Sequence, residues 1–368
     1  MRLLFLCSTP YQVIVACCIV NNCYCGCKAD VIIADHITDY ERLADNIKKN
    51  NVLFENVYTA KIKEYTDFWI NSSRVKKIIN LISRKKIENT IEIENKYDMF
   101  FCSNIDGFQI MFYAYLKRYN NHNIKACFFE DGFFLYFIGG GYFKSNNSYI
   151  KSKIKKICGL NFLSEQIKEF YVFRPECMEW SPNVTVKKIP NININDKEFI
   201  NFLNKIFGYN DLEDNYNKKI VYFESGNLSW KQSFDIELLD IFLEYVNKDD
   251  IMVKIHPRDE SNRFKNKGYH TNVNRYVPWE IIAMNNDFDN TILVTMGSQS
   301  VIMPYVLFGK KVKAIILDKL YEEYECQNTH YLDYLNKLYF SKYQDIFFEP
   351  KTIYELKMYL EKNLKKKF

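Results

Sequence analysis

Three short stretches carry residue types that could do acid–base or anion chemistry. The first is Glu130-Asp131-Gly132, which ends the apolar run Ala126-Cys127-Phe128-Phe129. Adjacent acids at a strand end leave the backbone in different directions. One can face a ligand while the other is held by the protein, and Gly132 allows the sharp turn. A partly desolvated carboxylate in that position has a raised pKa and can act as a general base. The second stretch is Lys254-Ile255-His256-Pro257-Arg258, after Asp250-Ile251-Met252-Val253. It reads as a buried strand delivering one of the chain's five histidines to the carboxyl edge of a sheet. His256 could donate hydrogen bonds to a phosphate or protonate a leaving group. Arg258 could pair with it or bind an anion itself.

The third stretch is Met296-Gly297-Ser298-Gln299-Ser300, between a strand and a helix. Backbone N–H groups at a helix start, with two hydroxyls, make an anion site. It is not a Walker loop, because the glycine spacing and the lysine are missing. Two further positions belong with these three. Glu280 opens a helix after Tyr276-Val277-Pro278-Trp279 and could accept both hydroxyls of a ribose. Ser225-Gly226-Asn227-Leu228-Ser229-Trp230 follows a strand, and its Trp could stack on a sugar face. Each stretch also has a plain structural reading: a solvated acidic turn, a strand-capping His, a Ser N-cap, an acid at a helix start, a buried Trp anchor. Taken singly, the residues leave both readings open.

These residues need elements to position them, and the chain supplies an alternation of strands and helices. Leu3–Cys7, Ala29–Ala34, Asn56–Thr59, Asp98–Cys102, Lys125–Phe129 and Val184–Ile189 read as strands, with helices over Pro10–Val20, Tyr40–Asn50, Asn71–Ile87 and Phe108–Tyr119. Ser8-Thr9-Pro10 supplies the cap and first-turn proline of the first helix. A second series follows: strands Lys219–Ser225, Ile251–Ile255, Thr291–Thr295 and Val312–Leu317, and helices Ile236–Val246, Trp279–Met284, Gln299–Phe308 and Ile353–Leu364. The pattern predicts an α/β fold of two Rossmann-like domains facing across a cleft. The expected boundaries are residues 1–190, with an insertion at about 133–180 that includes a basic helix over 149–158, then a linker over 191–218, a second domain over 219–350, and a C-terminal helix and basic tail over 351–368.

Composition narrows the functional classes. Net charge is +5 over 368 residues, and no basic stretch is interleaved with aromatics, so a nucleic-acid partner is not expected. The 11 cysteines are odd in number and scattered, several of them in apolar runs, as in a chain kept reduced. Cys23-Tyr24-Cys25-Gly26-Cys27 lacks a second Cys/His group to complete a site, so no metal is expected. The opening apolar run is too short for a signal peptide, and no span reaches the ~20 residues of a membrane helix. A cytoplasmic protein is expected. Its basic helices (Arg84-Lys85-Lys86; Lys151, Lys153, Lys155, Lys156) could touch the inner membrane or an acidic glycan, or simply face solvent.

Together the motifs resemble the bacterial sialyltransferases of the GT-B type: glycosyltransferase family 52 and its relatives, family 80 and the capsular polysialyltransferases. Those families share an acidic-acidic-Gly motif in the first domain, His-Pro in the second, and a Ser-rich turn further on. Here these are Glu130-Asp131-Gly132, His256-Pro257 and Ser298-Gln299-Ser300, in that order. The opening Leu6-Cys7-Ser8-Thr9-Pro10-Tyr11-Gln12-Val13 and the segment Pro278-Trp279-Glu280 are similar as well, and the likeness spans nearly the whole chain. It implies that Asp131 is the base that deprotonates an acceptor hydroxyl, with Glu130 in reserve. It implies that His256 stabilises the departing CMP phosphate or acts as acid. Ser298 and Ser300, with Gly297, Pro257 and Arg258 around them, would hold that phosphate, and Glu280 the ribose. Ser225, Gly226 and Asn227 would line the donor site, and Trp230, Ser8 and Thr9 the acceptor side. One departure bears on the assignment. Some family 52 members carry a catalytic Asp on the loop where this chain has Ser225-Gly226-Asn227, and Asn cannot serve as base.

The activity implied is inverting transfer of sialic acid from CMP-sialic acid to a galactose-terminated glycan or glycolipid, with α2,3 linkage, in capsule or lipooligosaccharide synthesis. No cofactor beyond the donor is implied. Alternatives are an α2,8 polysialyltransferase, a GT-B transferase using CMP-Kdo or a UDP-hexose, and a non-catalytic glycan binder of the capsule machinery.

Overall fold

The computed structural model describes residues 1–50, 52–73, 76, 90–132, 135–136, 163–178, 184–210, 214–224, 234–257, 259, 261–320 and 346–364. The chain divides into two compact units, Met1–Ile192 with Asn201–Phe207, and Asn193–Ile200 with Gly208–Phe368. Each is built on one all-parallel sheet.

In the first unit the strands are β1 (Arg2–Cys7), β2 (Lys28–Ala34), β3 (Asn56–Ala60), β4 (Met99–Cys102), β5 (Lys125–Phe129), β6 (Ile167–Val172) and β7 (Thr185–Lys188), in spatial order β3-β2-β1-β4-β5-β6-β7. The order reverses beside β1, between β1 and β4, which is where ligands gather in open α/β sheets. The central strands are apolar throughout because both faces are covered. Leu3 to Cys7 are buried, and Phe5 stacks on Phe101 at 4.4 Å between centroids. The helix Pro10–Cys23 follows β1. Thr9 caps it by accepting the Gln12 N–H, and Pro10 fills the first turn, where no N–H is needed. Every residue from Gln12 to Val20 is buried, so this helix is packed on all sides.

In the second unit the strands are β8 (Ile220–Phe223), β9 (Ile251–Lys254), β10 (His270–Thr271), β11 (Ile292–Thr295), β12 (Lys313–Ile316) and β13 (Phe347–Phe348), in order β10-β9-β8-β11-β12-β13. Parallel pairing is continuous across the sheet. The helix Ile353–Asn363 places Leu356 and Leu360 in the same core as Ile220, Leu239, Val253 and Val294.

Several sequence expectations are corrected. Ile167–Val172, inside the stretch read as an insertion, is a sheet strand between β5 and β7. Its sequence, Ile-Lys-Glu-Phe-Tyr-Val, is mixed rather than continuously apolar, because only its second half is buried on both faces. The expected linker contains the helix Lys197–Phe207, whose buried Phe199, Ile200, Leu203, Ile206 and Phe207 recur at helical spacing. The helix Ile353–Asn363 belongs to the second unit's core rather than to an appended tail. A helix over Lys63–Asn71 precedes the expected one at Asn71–Ile87, most of which lies outside the described residues. The expected helix over Gln299–Phe308 starts as a 3-10 turn, Gln299–Ile302, before an α-helix over Met303–Phe308 that Gly309 ends at φ 70°. Helix 149–158, Arg84-Lys85-Lys86 and Lys365–Lys367 also fall outside the described residues.

Candidate active site

In the first unit, candidate residues gather at the carboxyl ends of β1 and β5. Glu130 follows β5 directly and is 0% exposed. Its Oε1 accepts the Tyr11 hydroxyl. Its Oε2 accepts the Tyr136 hydroxyl and, at 2.8 Å, the Phe173 N–H. The Tyr136 hydroxyl also accepts the Arg174 N–H at 3.0 Å, closing a network between three parts of the unit. Burial pushes the Glu130 carboxyl up to about 7, while the two tyrosines, the Phe173 amide and Arg174 hold it down from going further. Glu130 was expected as a reserve base. In the structure both of its oxygens accept from protein donors, and it braces the strand end.

Asp131, one residue on, keeps part of its surface open. Gly132 follows at φ 78°, a conformation that turns the chain away from the sheet and suits only glycine well. Thr9 Oγ1 donates to Asp131 Oδ1 at 3.2 Å, so the residue that caps the first helix also holds this carboxylate. Burial raises the Asp131 pKa, and the Gln12 and Thr9 side chains partly offset the rise. Ser8 lies in the same turn, its N–H donating to Gln12 Oε1 at 2.6 Å. Ser8, Thr9, Glu130 and Asp131 thus converge on one sheet edge. Such an edge can take a proton from a bound hydroxyl.

In the second unit, described by itself, a separate group of candidate residues lies at the carboxyl ends of β8, β9 and β11, which are neighbours in the sheet. His256, two residues past β9, is half-buried, and its backbone is pinned from both sides. Glu224 Oε2 accepts the His256 N–H at 3.0 Å, and Asn272 Oδ1 accepts the Ile255 N–H at 2.7 Å. Glu224 is itself held by Arg263 Nε at 3.1 Å, and Arg263 reaches on to both oxygens of Asp235. Pro257 is exposed.

Glu280 is the second residue of the helix Trp279–Asn285. Burial raises its pKa, and the charge of Lys254 partly offsets that; Lys254 in turn is pulled down to about 8 by its own burial. Trp279, buried, donates Nε1–H to the Ser300 carbonyl at 2.8 Å and packs edge-on against Phe223 at 4.6 Å. It ties the helix bearing Glu280 to the serine turn and to β8.

The serine turn differs from expectation in one respect. Thr295 Oγ1 accepts the N–H groups of Gly297 at 3.2 Å and Ser298 at 2.9 Å, and Ser298 Oγ accepts the Ser300 N–H at 3.3 Å. These three amides are spent on the turn itself. What it offers an anion is the hydroxyl pair Ser298 and Ser300, whose oxygens are 3.0 Å apart.

Arg258, Ser225, Gly226, Asn227 and Trp230 lie outside the described residues. Sequence reasoning missed Tyr11, Gln12, Glu224, Arg263, Asn272 and Trp279 as supports of the site. A signal was available for Glu224, an acid ending an apolar run as Glu130 does. None was available for Arg263, which sits in a four-residue helix with no periodic pattern. Among the described residues no group of three or more His, Cys, Asp or Glu side chains could hold a metal ion, and no helix is long and apolar enough to cross a membrane.

No family model matches the sequence, and no curated protein matches it. Solved structures do. The chain is similar to the GT-B domain of a sialyltransferase from Photobacterium damselae, at 13% identity over 95% of this chain and 100% of that one, with a TM-score of 0.52. It is similar to the α/β-galactoside α2,3-sialyltransferase of the luminous marine bacterium Photobacterium phosphoreum, at 12% identity over 95% and 97% of the two chains, TM-score 0.52. A UDP-GlcNAc 2-epimerase from Methanocaldococcus jannaschii superposes less well, at 12% identity over 99% and 91% of the chains, TM-score 0.48, and adds nothing to the assignment. At these identities the likeness is one of fold, and with the two parallel sheets it gives the chain the GT-B fold of two Rossmann-like domains.

Proposed function

We propose that the protein is an inverting glycosyltransferase that moves sialic acid from CMP-sialic acid to a hydroxyl of a glycan or glycolipid. The observation that carries this reading is Asp131: a half-buried acid at a sheet's carboxyl edge, held by Thr9 and Gln12, with its pKa raised by burial while its neighbour Glu130 is engaged by protein donors. A carboxylate so placed can take the proton of an acceptor hydroxyl. Two solved sialyltransferases share the fold, and the order of the acidic, His-Pro and serine motifs supports the same donor.

In this reading Asp131 receives the acceptor proton as the acceptor oxygen bonds to the anomeric carbon. The bond from that carbon to the phosphate oxygen breaks, and its electron pair leaves with CMP. The transition state is oxocarbenium-like, so the developing phosphate charge must be stabilised. His256 serves that charge or donates to it, and the Ser298 and Ser300 hydroxyls donate to the same phosphate. Pro257 and Arg258 shape the phosphate site, Glu280 accepts from the ribose hydroxyls, and Trp230 and Ser8 contact the acceptor. A single displacement inverts the β-linked donor to an α-sialoside. A galactose-terminated acceptor and α2,3 linkage, as needed for a capsule or lipooligosaccharide glycan, complete the proposal.

The test is CMP release from CMP-sialic acid in the presence of lactose. Asp131→Ala and His256→Ala should each lose at least about 10²-fold in turnover. Undiminished turnover in both variants would refute the mechanism.

A further inference from the structure

The helix Ile353–Asn363 is apolar on two opposite sides. Its inner side places Leu356 and Leu360 in the core of the second unit, both fully buried. Two residues turn a helix by about 200°. Tyr354 and Met358 each stand two positions before one of these leucines, so they share a line on the outer side. Tyr354 is 73% exposed and Met358 50%, and Ile353 at the helix start is 40% exposed. No other helix among the described residues carries more than one large apolar side chain so exposed. A surface helix ordinarily keeps one apolar stripe for the core and a polar outer face. A second apolar stripe marks a surface that meets something else.

The charges around this face say what fits it. Residues 351–368 hold six lysines and two glutamates. The run Lys362-Asn363-Leu364-Lys365-Lys366-Lys367-Phe368 holds four of those lysines and no acid. Both glutamates are engaged along the helix. Glu355 Oε2 accepts the Lys351 N–H at 2.7 Å, and Glu361 adds to the effect of Glu244 in raising the pKa of Lys357. Lys357 is met by Glu244 Oε1 at 2.7 Å, whereas Lys351 and Lys362 are exposed.

We propose that the outer face of this helix docks on an anionic membrane surface. At about 16 Å the helix is too short to cross a bilayer, and it lies in the plane of the interface. Tyr354 and Met358 enter the boundary between headgroups and acyl chains, where a tyrosine keeps its hydroxyl wet. The lysines lay their stems along that boundary and direct their ammonium groups to lipid phosphates. Two apolar side chains bury too little area to hold a protein on a neutral bilayer, and lysine charge alone selects no face. Together they give reversible, oriented binding. This surface is distinct from the basic segments at 84–86 and 151–156, and the proposal is independent of the donor.

The experiment floats the full chain with phosphatidylcholine vesicles, with and without phosphatidylglycerol, at low and high salt. Binding is expected to the anionic vesicles only, and it should fall as salt rises. Lys365→Ser, Lys366→Ser and Lys367→Ser combined should weaken it about 100-fold. Tyr354→Ser with Met358→Ser should weaken it about 10-fold and leave the thermal midpoint unchanged, because both side chains project outward. Tyr354→Glu gives the same readout from a single change if the pair fails to fold. No binding to anionic vesicles overturns the proposal. So does equal binding to neutral vesicles, or binding that the apolar variants leave intact, which assigns it to the lysines alone. Sedimentation velocity covers the competing cover for this face. A dimer in vesicle-free buffer that Tyr354→Ser with Met358→Ser dissolves, with no vesicle binding, makes the face a contact between two copies and overturns the membrane reading.

Discussion

Glu130 supplies a measurable consequence of how this site is braced. Its carboxyl rises from an ordinary 4.5 to about 7 because the protein buries it completely. That rise corresponds to about 3 kcal/mol between the two protonation states. The sign follows from which state holds the proton. Between pH 4.5 and pH 7 the folded chain keeps a proton that the unfolded chain has released. Glu130 therefore contributes its full stabilisation only below pH 4.5, and that contribution is lost as pH rises through 7. Glu130→Gln removes the titration while keeping the shape. The amide oxygen can face the Phe173 N–H and the Tyr136 hydroxyl, and the amide nitrogen can donate to the Tyr11 hydroxyl oxygen, so no partner is stranded. The expected result is a variant close to wild type in stability at pH 4 and more stable than it at pH 9, by about 3 kcal/mol.

The assay is urea unfolding of both proteins across that range, followed by a probe in the first unit such as fluorine-labelled tyrosine. Taking the difference at each pH cancels the other titrating groups. One of these is Asp318 in the second unit, whose burial and neighbour Glu349 push it to about 7 as well. If wild type and Glu130→Gln run parallel from pH 4 to pH 9, then Glu130 is not held in the buried network described, and the division of labour between the two acids falls with it.

Further outcomes follow from the second unit. Arg263→Met strands Glu224 and Asp235, whose charges are largely buried, so it should destabilise the unit by about 3 kcal/mol; a loss under 0.5 kcal/mol by denaturant titration would show the network to be solvated. Thr295→Val removes the acceptor for the Gly297 and Ser298 amides, so it should cost about 1–3 kcal/mol and weaken nucleotide binding together; unchanged binding would separate the serine turn from the donor site. In a thermal-shift series CMP should stabilise the protein by about 2.7 kcal/mol at 100 times its Kd, with UDP doing much less; the reverse order would point to a UDP-sugar donor.

What could be read in advance was local. Strands such as Leu3–Cys7 and Lys125–Phe129 announce themselves because both faces of a central parallel strand are buried, and a strand's end fixes which residue reaches the sheet edge. Asp131, His256 and the two serines were therefore placeable without coordinates, as was the Thr9 cap, whose partner is three residues away. Availability was not placeable, because it is decided by distant partners. Whether Glu130 or Asp131 is open to a substrate depends on Tyr11, more than a hundred positions upstream, and on the Phe173 amide, which reaches Glu130 only because the mixed strand Ile167–Val172 pairs beside β5. The same holds for the serine turn. Its amides looked free, and a threonine three residues earlier had already taken two of them. A helix start with a polar residue three positions back is as much a self-satisfied turn as an anion site. Internal pairing therefore decides, in each unit by itself, which polar groups stay open: the half-buried Asp131 at the sheet edge of the first unit, and the Ser298 and Ser300 hydroxyl pair in the turn of the second.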